Sequence, residues 1–477
     1  MLARMRTHLN GSILRRVLLS LVAAAALSPA ACSDARTSAE PPPGDPGVQS
    51  GPTFHRDVEP LLQKRCQGCH TAGGIAPFSL ISYADASPLA LLIAETTGSR
   101  LMPPWGAQST DECQPRHGWR DDERLSDDEI AMLAAWGAAG APKGDPADAP
   151  PPADVKPTEL SSKDLEIAPK PFVTSGDRDE FRCFVLDPKL TEKTYINGTY
   201  FIAGNPSVMH HIILFADASR ESEGKADADG GYDCFGGVGL TEQTMIAGWV
   251  PGGRPNDLPA NIGTPVEAGS LLVMQIHYHP GGMTADPDAT RLQLRFTEGK
   301  PEYYLATTLV GNFKGPTAGG GLLPGPGDGP NGPEFRIPAG ASGHTETMQA
   351  TIPGDPQTPE IFLYGVLAHM HLVGVDQKVA IERATAEPAE ECLLHVPQWD
   401  FSWQRSYSYD APIEDLPRLS PGDKLTVRCT YDNTLDNPAL VGALTEENLS
   451  EPVDVRLGEE TLDEMCITGL QLLTKAP

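Results

Sequence analysis

From about residue 170 onward the chain takes on the alternation of β-strands. "LLVMQIHYH" (271–279), "TRLQLRF" (290–296), "FLYGVLAHMHL" (362–372) and "DKLTVRCTYDN" (423–433) read as strands, with clusters of turn residues between them. A side-chain period of two puts one face of each strand into a core and the other toward water, the pattern of β-sandwiches. The 48 glycines and 46 prolines fit the same reading, because they interrupt long helices and supply many turns. One stretch, "GNFKGPTAGGGLLPGPGDGPNGP" (311–333), reads as too rich in both to pack. It is expected to be a long loop near the border of two β domains, 171–300 and 301–477.

At 477 residues the chain has room for about three domains. Its net charge of −28, from 36 Lys and Arg against 64 Asp and Glu, would repel a phosphate backbone, so nucleic acid is set aside as a partner. The first 31 residues read as an export signal: the basic "MLARMRTHLNGSILRR", the apolar "VLLSLVAAAAL", then small residues before Cys32. That apolar run is too short to span a membrane. Ala30-Ala31-Cys32 resembles a bacterial lipoprotein cleavage site, with Pro29 where Leu is usual. Cys32 would then be acylated and anchor the chain to a membrane; cleavage without lipidation is the competing reading. Residues 32–52 form a Pro/Ser/Gly tether. The expected destination is the periplasm, or the outer membrane as a lipoprotein, where thiols oxidise or are captured covalently.

Residues 53–145 read as helical, followed by a Pro-rich linker over 146–170. "VEPLLQKRC" has helical apolar spacing, and "LSDDEIAMLAAWGAAGAP" opens with Ser126 and Glu129 as a capping box and ends in Gly140 and Pro142. "CQGCH" sets Cys66, Cys69 and His70 at the spacing that attaches a c-type haem. Two thiols three apart can form thioethers, and the adjacent histidine can ligate the iron. A redox dithiol or part of a zinc site is the bland alternative. Met102 in "GSRLMPPW" is the candidate sixth ligand, its loop stiffened by proline, against a reading as ordinary core. The segment resembles a class I c-type cytochrome domain, so the fold class expected is a small all-α cytochrome-like domain followed by two all-β jelly-roll-like sandwich domains.

Histidines supply the second chemical signal. "VMHHIILF" places His210 and His211 side by side in a strand, whose neighbouring side chains ordinarily face opposite ways. "VMQIHYHP" carries His277 and His279, "LAHMHLVG" carries His369 and His371, and "LDEMCITG" sets Met465 beside Cys466. Taken singly, His279 could be a surface residue and Met465 a core one. Together, His369 and His371 with a thioether from Met465 would make a His₂Met site, which suits copper and favours Cu(I). His210, His211 and one of His277 or His279 would make a His₃ site. Two adjacent histidines can serve one metal if the strand twists or ends there.

In this order, HHxxLF, HYH, HxH and EMC, the motifs resemble the copper type II, ascorbate-dependent monooxygenases, the family of peptidylglycine α-hydroxylating monooxygenase and dopamine β-hydroxylase. "GDKLTVRCTYDNT" and "QWDFSWQRSY" support the likeness, which runs over roughly 170–477; with the haem motif in front it looks like a bacterial haem-fused branch. The resemblance implies two copper ions, one in each sandwich. His210, His211 and His277 would bind the first, His277 being preferred because it precedes Tyr278. His369, His371 and Met465 would bind the second, where O2 is reduced and a C–H bond is hydroxylated, one oxygen atom being incorporated. It also implies a Cys429–Cys466 disulfide. Cys183–Cys234 fits inside the first β domain, and Cys113 and Cys392 stay unassigned. Each copper supplies one electron. The covalent haem is expected to relay electrons to the His₃ copper, replacing or supplementing ascorbate; a periplasmic redox carrier is the other candidate donor.

The family pattern also breaks. Peptide-amidating members carry an arginine two residues before the HxH pair, where this chain has Leu367, and an asparagine and a tyrosine after the methionine, where it has Ile467 and Gly469. Peptide amidation is therefore not expected; a small, uncharged or hydrophobic substrate is. The competing function is a haem and copper electron carrier, or a copper-binding protein, without hydroxylase activity.

Overall fold

Alternating segments become strands, and their two faces decide the layers. The structure, a computed structural model, describes residues 51–71, 76–152, 159–175, 179–250, 253–279, 286–355, 359–385 and 388–477. The export signal, the tether and Cys32 lie outside the described residues, as do 153–158 of the linker. The principal strands are β1 (Glu180–Leu186), β2 (Thr194–Ile202), β3 (Met209–Asp217), β4 (Thr244–Trp249), β5 (Ile262–Val266), β6 (Leu271–Tyr278) and β7 (Arg291–Phe296). They continue as β8 (Tyr303–Gly311), β9 (Ser342–Thr351), β10 (Ile361–His369), β11 (Gly374–Glu382), β12 (Glu390–Val396), β13 (Lys424–Asp432) and β14 (Ile467–Lys475).

One ten-stranded sheet runs through both halves of the chain, with β7, β2, β5, β8, β14 and β10 side by side. The halves join where β5 runs parallel to β8, pairing Ile262 with Tyr303 and Gly263 with Tyr304. A five-stranded sheet containing β1, β6, β3 and β4 covers the first half. Phe184, Leu214, Met274 and Ile276 from it meet Ile196, Phe201, Leu292 and Leu294 in one core. A six-stranded sheet containing β9, β13, β11 and β12 covers the second half, where Met348, Val379, Leu394 and Val427 meet Leu305, Leu363, Val366 and Leu470. The Gly/Pro-rich stretch expected to stay unpacked does pack in part. Gly320–Leu322 adds a short strand beside β9, and Leu322 enters the core. Glycine is needed there, because a Cβ on Gly320 would sit 2.3 Å from the Gln349 carbonyl oxygen and its φ is +132°.

The expected fold class needs correction at its front. Among the described residues the chain is mostly β-sandwich sheet, and no all-α cytochrome-like domain stands over 53–145. The helices there are short: α1 (Glu59–Arg65), α2 (Tyr83–Ala86), α3 (Ala90–Gly98) and α4 (Asp127–Ala138). They share a small core of Phe54, Leu62, Ile93, Leu133 and Trp136, and the Ser126–Glu129 capping box opens α4. Between α3 and α4, however, the chain is extended, and its Trp105, Ala107 and Trp119 are buried in the core of the second sandwich. Trp119 stacks on Tyr409 at 4.9 Å. Residues 51–477 consequently form one unit by their internal contacts. Two amphipathic ends suggested a helical domain, but the proline- and glycine-bearing stretch between them finds its apolar partners on a sheet.

Three disulfides close: Cys183–Cys234, Cys429–Cys466 and Cys113–Cys392. The last bonds the extended segment to β12, and beside it His395 contacts Asp376 and Thr110 while Arg428 pairs with Glu112 and Asp376. These bridges belong to an oxidising, extracellular-type environment. Among the described residues no helix is long and apolar enough to cross a membrane. Replacing Cys113 and Cys392 together by serine should lower the unfolding free energy by about 2–4 kcal/mol. Limited proteolysis should then cut the 99–125 stretch faster; an unchanged cleavage pattern would mean that burial of the tryptophans alone holds it.

Candidate functional site

The adjacent histidines sit on a β-bulge. In the β3–β6 ladder Met209 pairs with Tyr278 and His211 with His277, so His210 is an extra residue on β3. A bulge turns the strand locally and re-aims side chains. His210 and His211 thereby reach one place from consecutive positions, their Nδ1 atoms 3.0 Å apart. His277 completes the group, with ring centroids 4.8 Å from His210 and 5.0 Å from His211. One ligand nitrogen from each of the three lies within 4.8 Å of the others.

The ring orientations are held from behind. Asp179, just before β1, accepts from His277 Nε2 at 2.9 Å, and Phe181 stacks on the same ring at 4.1 Å. His277 Nδ1 is then left buried with no hydrogen-bond partner. An orphaned nitrogen inside a ring of imidazoles is what a metal ligand looks like before the metal is counted. Removal from water, and then the neighbouring charge of His277, push His210 and His211 well below the ordinary histidine range. Both are accordingly neutral, the form that ligates. Burial alone would raise the Asp179 carboxyl, but hydrogen bonds from His277 and His279 outweigh it and hold it far below the usual range. His279 is half-exposed and gives its Nδ1 to Asp179 at 2.6 Å, outside the three-histidine group.

The second cluster lies at the ends of β10 and β14. His369 pairs with Ile467 in the antiparallel ladder, so His371, two residues on, and Met465, two residues back, come to the same end of the sheet. One buried carboxylate joins them: Glu464 Oε2 accepts the backbone N–H of His371 and of Met465, each at 2.7 Å. Tyr431 Oη donates to the Met465 carbonyl at 3.0 Å, and the Cys429–Cys466 bridge holds the next residue. His369 Nδ1 meets Gln404 Oε1 at 2.7 Å, and His371 Nδ1 donates to the Asp463 carbonyl at 3.1 Å. Both bonds leave the Nε2 atoms for a ligand. Burial, with His369 alongside, pushes His371 down to about 3.

The two clusters face one another across one phenyl ring. Phe401 stacks on His210 at 4.5 Å and lies edge-on to His371 at 6.0 Å. A third grouping, Glu112, Asp376 and His395, also has metal-like spacing, but Arg428 already answers both carboxylates.

Cys66, Cys69 and His70 occupy a turn after α1, with His70 N donating to the Cys66 carbonyl at 2.9 Å. Both thiols are free and half-buried. His70 Nδ1 donates to the Phe78 carbonyl at 3.2 Å, which leaves Nε2 as the ligating atom. Burial, and then the neighbouring Cys69, push the Cys66 thiol up to about 12, the reverse of a reactive dithiol's environment. Two thiols and the His70 Nε2 on one short turn are the donor set that a covalently attached macrocycle would need. Met102 lies in a cavity of about 230 Å³ walled also by Trp105, Arg124 and Leu125, and the attachment residues are not among its walls.

Asp179 carries no spacing signal of its own, since it acts through a ring from a distant segment; Glu464 stands in the EMC motif and Phe401 and Gln404 in "QWDFSWQRSY", but the backbone groups and rings they would meet were not legible there. No family model matches the chain, and no curated protein does. Among solved structures, the major capsid protein P2 from Bacteriophage PM2 aligns at TM-score 0.21 and 8% identity over 63% of this chain and 98% of its own. A Paenibacillus xanthan lyase aligns at TM-score 0.17 and 10% identity over 72% of this chain and 29% of its own. The infectious bursal disease virus VP2 subviral particle gives 0.14 and 10%, over 68% and 83%. Likenesses this slight carry no functional argument.

Replacing Asp179 by alanine should weaken metal binding by the three-histidine group about 10–100-fold, because the His277 ring loses its anchor. A copper(II) titration against a competing chelator reads this directly.

Proposed function

We propose that the chain is a copper-dependent monooxygenase that hydroxylates a C–H bond of a small, uncharged or hydrophobic substrate with O2. The observation that carries the reading is a pair of separate imidazole clusters: in one, Asp179 holds His277 Nε2 while the buried Nδ1 beside His210 and His211 has no partner, and in the other Gln404 and the Asp463 carbonyl engage the Nδ1 atoms of His369 and His371. His210, His211 and His277 would hold one copper, and His369, His371 and Met465 the other. Copper at the two sites would supply electron storage at the first and dioxygen reduction with hydroxylation at the second. The mixed imidazole and thioether set favours the cuprous state.

The chain's own groups do the rest. Asp179, Gln404 and the Asp463 carbonyl orient rings and fix their tautomers. Glu464 keeps the His371 and Met465 backbones in one register. Phe401 stands between the clusters, stacked on His210 and edge-on to His371. Leu367, Ile467 and Gly469 offer no charge to a substrate, which supports an uncharged one. A haem held by Cys66 and Cys69, with His70 and Met102 as the candidate iron ligands, would supply one-electron transfer from ascorbate or a periplasmic carrier. Export to the periplasm, or to the outer membrane through acylated Cys32, agrees with the disulfides.

The copper-loaded chain with ascorbate should consume O2, and His369→Ala should lower the rate more than about a hundredfold. Equal uptake by the two, or none by either, favours the carrier reading. Chain isolated after export should keep a haem that resists acidic acetone extraction. Cys66→Ser with Cys69→Ser should lose it, as read by the pyridine haemochrome spectrum.

A further inference from the structure

The stretch from Trp399 to Arg405 touches both candidate clusters. Trp399 Nε1 donates to the His371 carbonyl at 3.1 Å. Phe401 stacks on His210 of the other cluster at 4.5 Å. Asp400 caps the short helical turn Phe401–Trp403, accepting from Ser402 N at 2.9 Å. Gln404, 7% exposed, meets His369 Nδ1 at 2.7 Å. Arg405 then pairs with Glu123 at 2.7 Å, and Glu123 also pairs with Arg254 at 2.5 Å. No residue of this stretch is one of the proposed ligands.

We propose that residues 399–405 form a strap that couples metal binding at the two clusters, with Phe401 and Gln404 as its positioning residues. The inference rests on reading both clusters as copper sites. A metal on His210 stops that ring, and a stopped ring fixes the phenyl stacked on it. The phenyl is the first residue of a capped turn, and Gln404 directly follows that turn. Holding the turn therefore holds the Gln404 amide where it engages His369. Part of the ordering cost of the second site is then already met when the first is filled, which is positive coupling. By linkage the effect is reciprocal. Repulsion between two cations has the opposite sign and does not depend on the ring.

The test uses the full chain and copper(II) alone, with electron paramagnetic resonance and chelator competition to separate the sites. With His371→Ala disabling the second site, the three-histidine site should bind copper about fivefold or more weakly. In a Phe401→Leu background that difference should vanish, whereas Phe401→Tyr, which keeps the ring, should retain it. Gln404→Leu should shift the copper hyperfine pattern of the His369 site, and Gln404→Glu, which keeps the acceptor, should restore it. The wild-type titration reads the coupling with no substitution at all, so a variant that folds poorly does not decide the matter. Copper bound at both sites with independent affinities, or a coupling that survives Phe401→Leu, overturns the strap alone. Failure of either cluster to take up copper overturns the strap and the oxygenase reading together.

Discussion

The candidate chemistry hangs on one unpaired residue in a strand. Without the bulge, His210 and His211 would stand on opposite faces of β3, and one imidazole would be lost to the sandwich core or to solvent. The extra residue gives up regular pairing over one step of the ladder. In return two consecutive side chains reach a third across the sheet. Such a break is tolerated because β3 sits between β6 and β4 in a five-stranded sheet and Ile212 and Leu214, just beyond the bulge, remain buried in its core.

A similar economy of main chain appears at the other cluster. There the device is strand ends rather than a bulge. β10 and β14 stop pairing at His369 and Ile467, and the candidate ligands His371 and Met465 lie just past the ladder. Their freed backbone N–H groups must still find acceptors. Glu464 answers four of them, from His371, Val373, Gly374 and Met465, at 2.7–3.1 Å. The carboxylate thus solves a hydrogen-bond problem and fixes the two ligand-bearing turns against each other in the same act. At both clusters the strand leaves regular pairing where the candidate ligands stand, and an acidic residue nearby takes up polar groups, Asp179 in one case and Glu464 in the other.

How far the sequence could be read follows from which contacts are local. Strand periodicity is local: β6, β7 and β13 lie within the stretches where alternation predicts them, and β10 begins one residue before its stretch and ends three residues short of its close. The capping box of α4 is local too. The pairings of histidines two apart were legible as motifs, and the bulge answers the adjacent pair in the manner a twisting strand allows. What could not be read is what depends on distant segments. Nothing around Asp179 distinguishes it from the other acidic residues of the chain until the fold sets it against His277. Cys113 and Cys392 are separated by 279 positions, and only burial of Trp105 and Trp119 on the second sandwich brings them together. The all-α domain failed for the same reason: helix signals at both ends of a segment do not say where the apolar residues between them will be buried.

That burial also decides how the CQGCH turn is held relative to the clusters. Two kinds of tie are present. Glu123, in contact with arginines from both sandwiches, is an ionic hub, and its partners Arg405 and Arg254 remain partly exposed. Exposed pairs contribute at most about 1 kcal/mol each and weaken with salt. By contrast, burying a large side chain such as Trp105 or Trp119 contributes about 1.5–3 kcal/mol, and a disulfide about 2–4 kcal/mol. The tryptophans and the Cys113–Cys392 bond therefore fix the segment, while the charges only align it. Arg405 lies over the Trp105 ring at 5.2 Å, so the residue that ends the strap rests on the same tryptophan that anchors the segment following the CQGCH turn. A displacement of that segment would thus reach Gln404 through its neighbour in sequence, and through Gln404 the His369 ring, without passing through any metal ligand on the way.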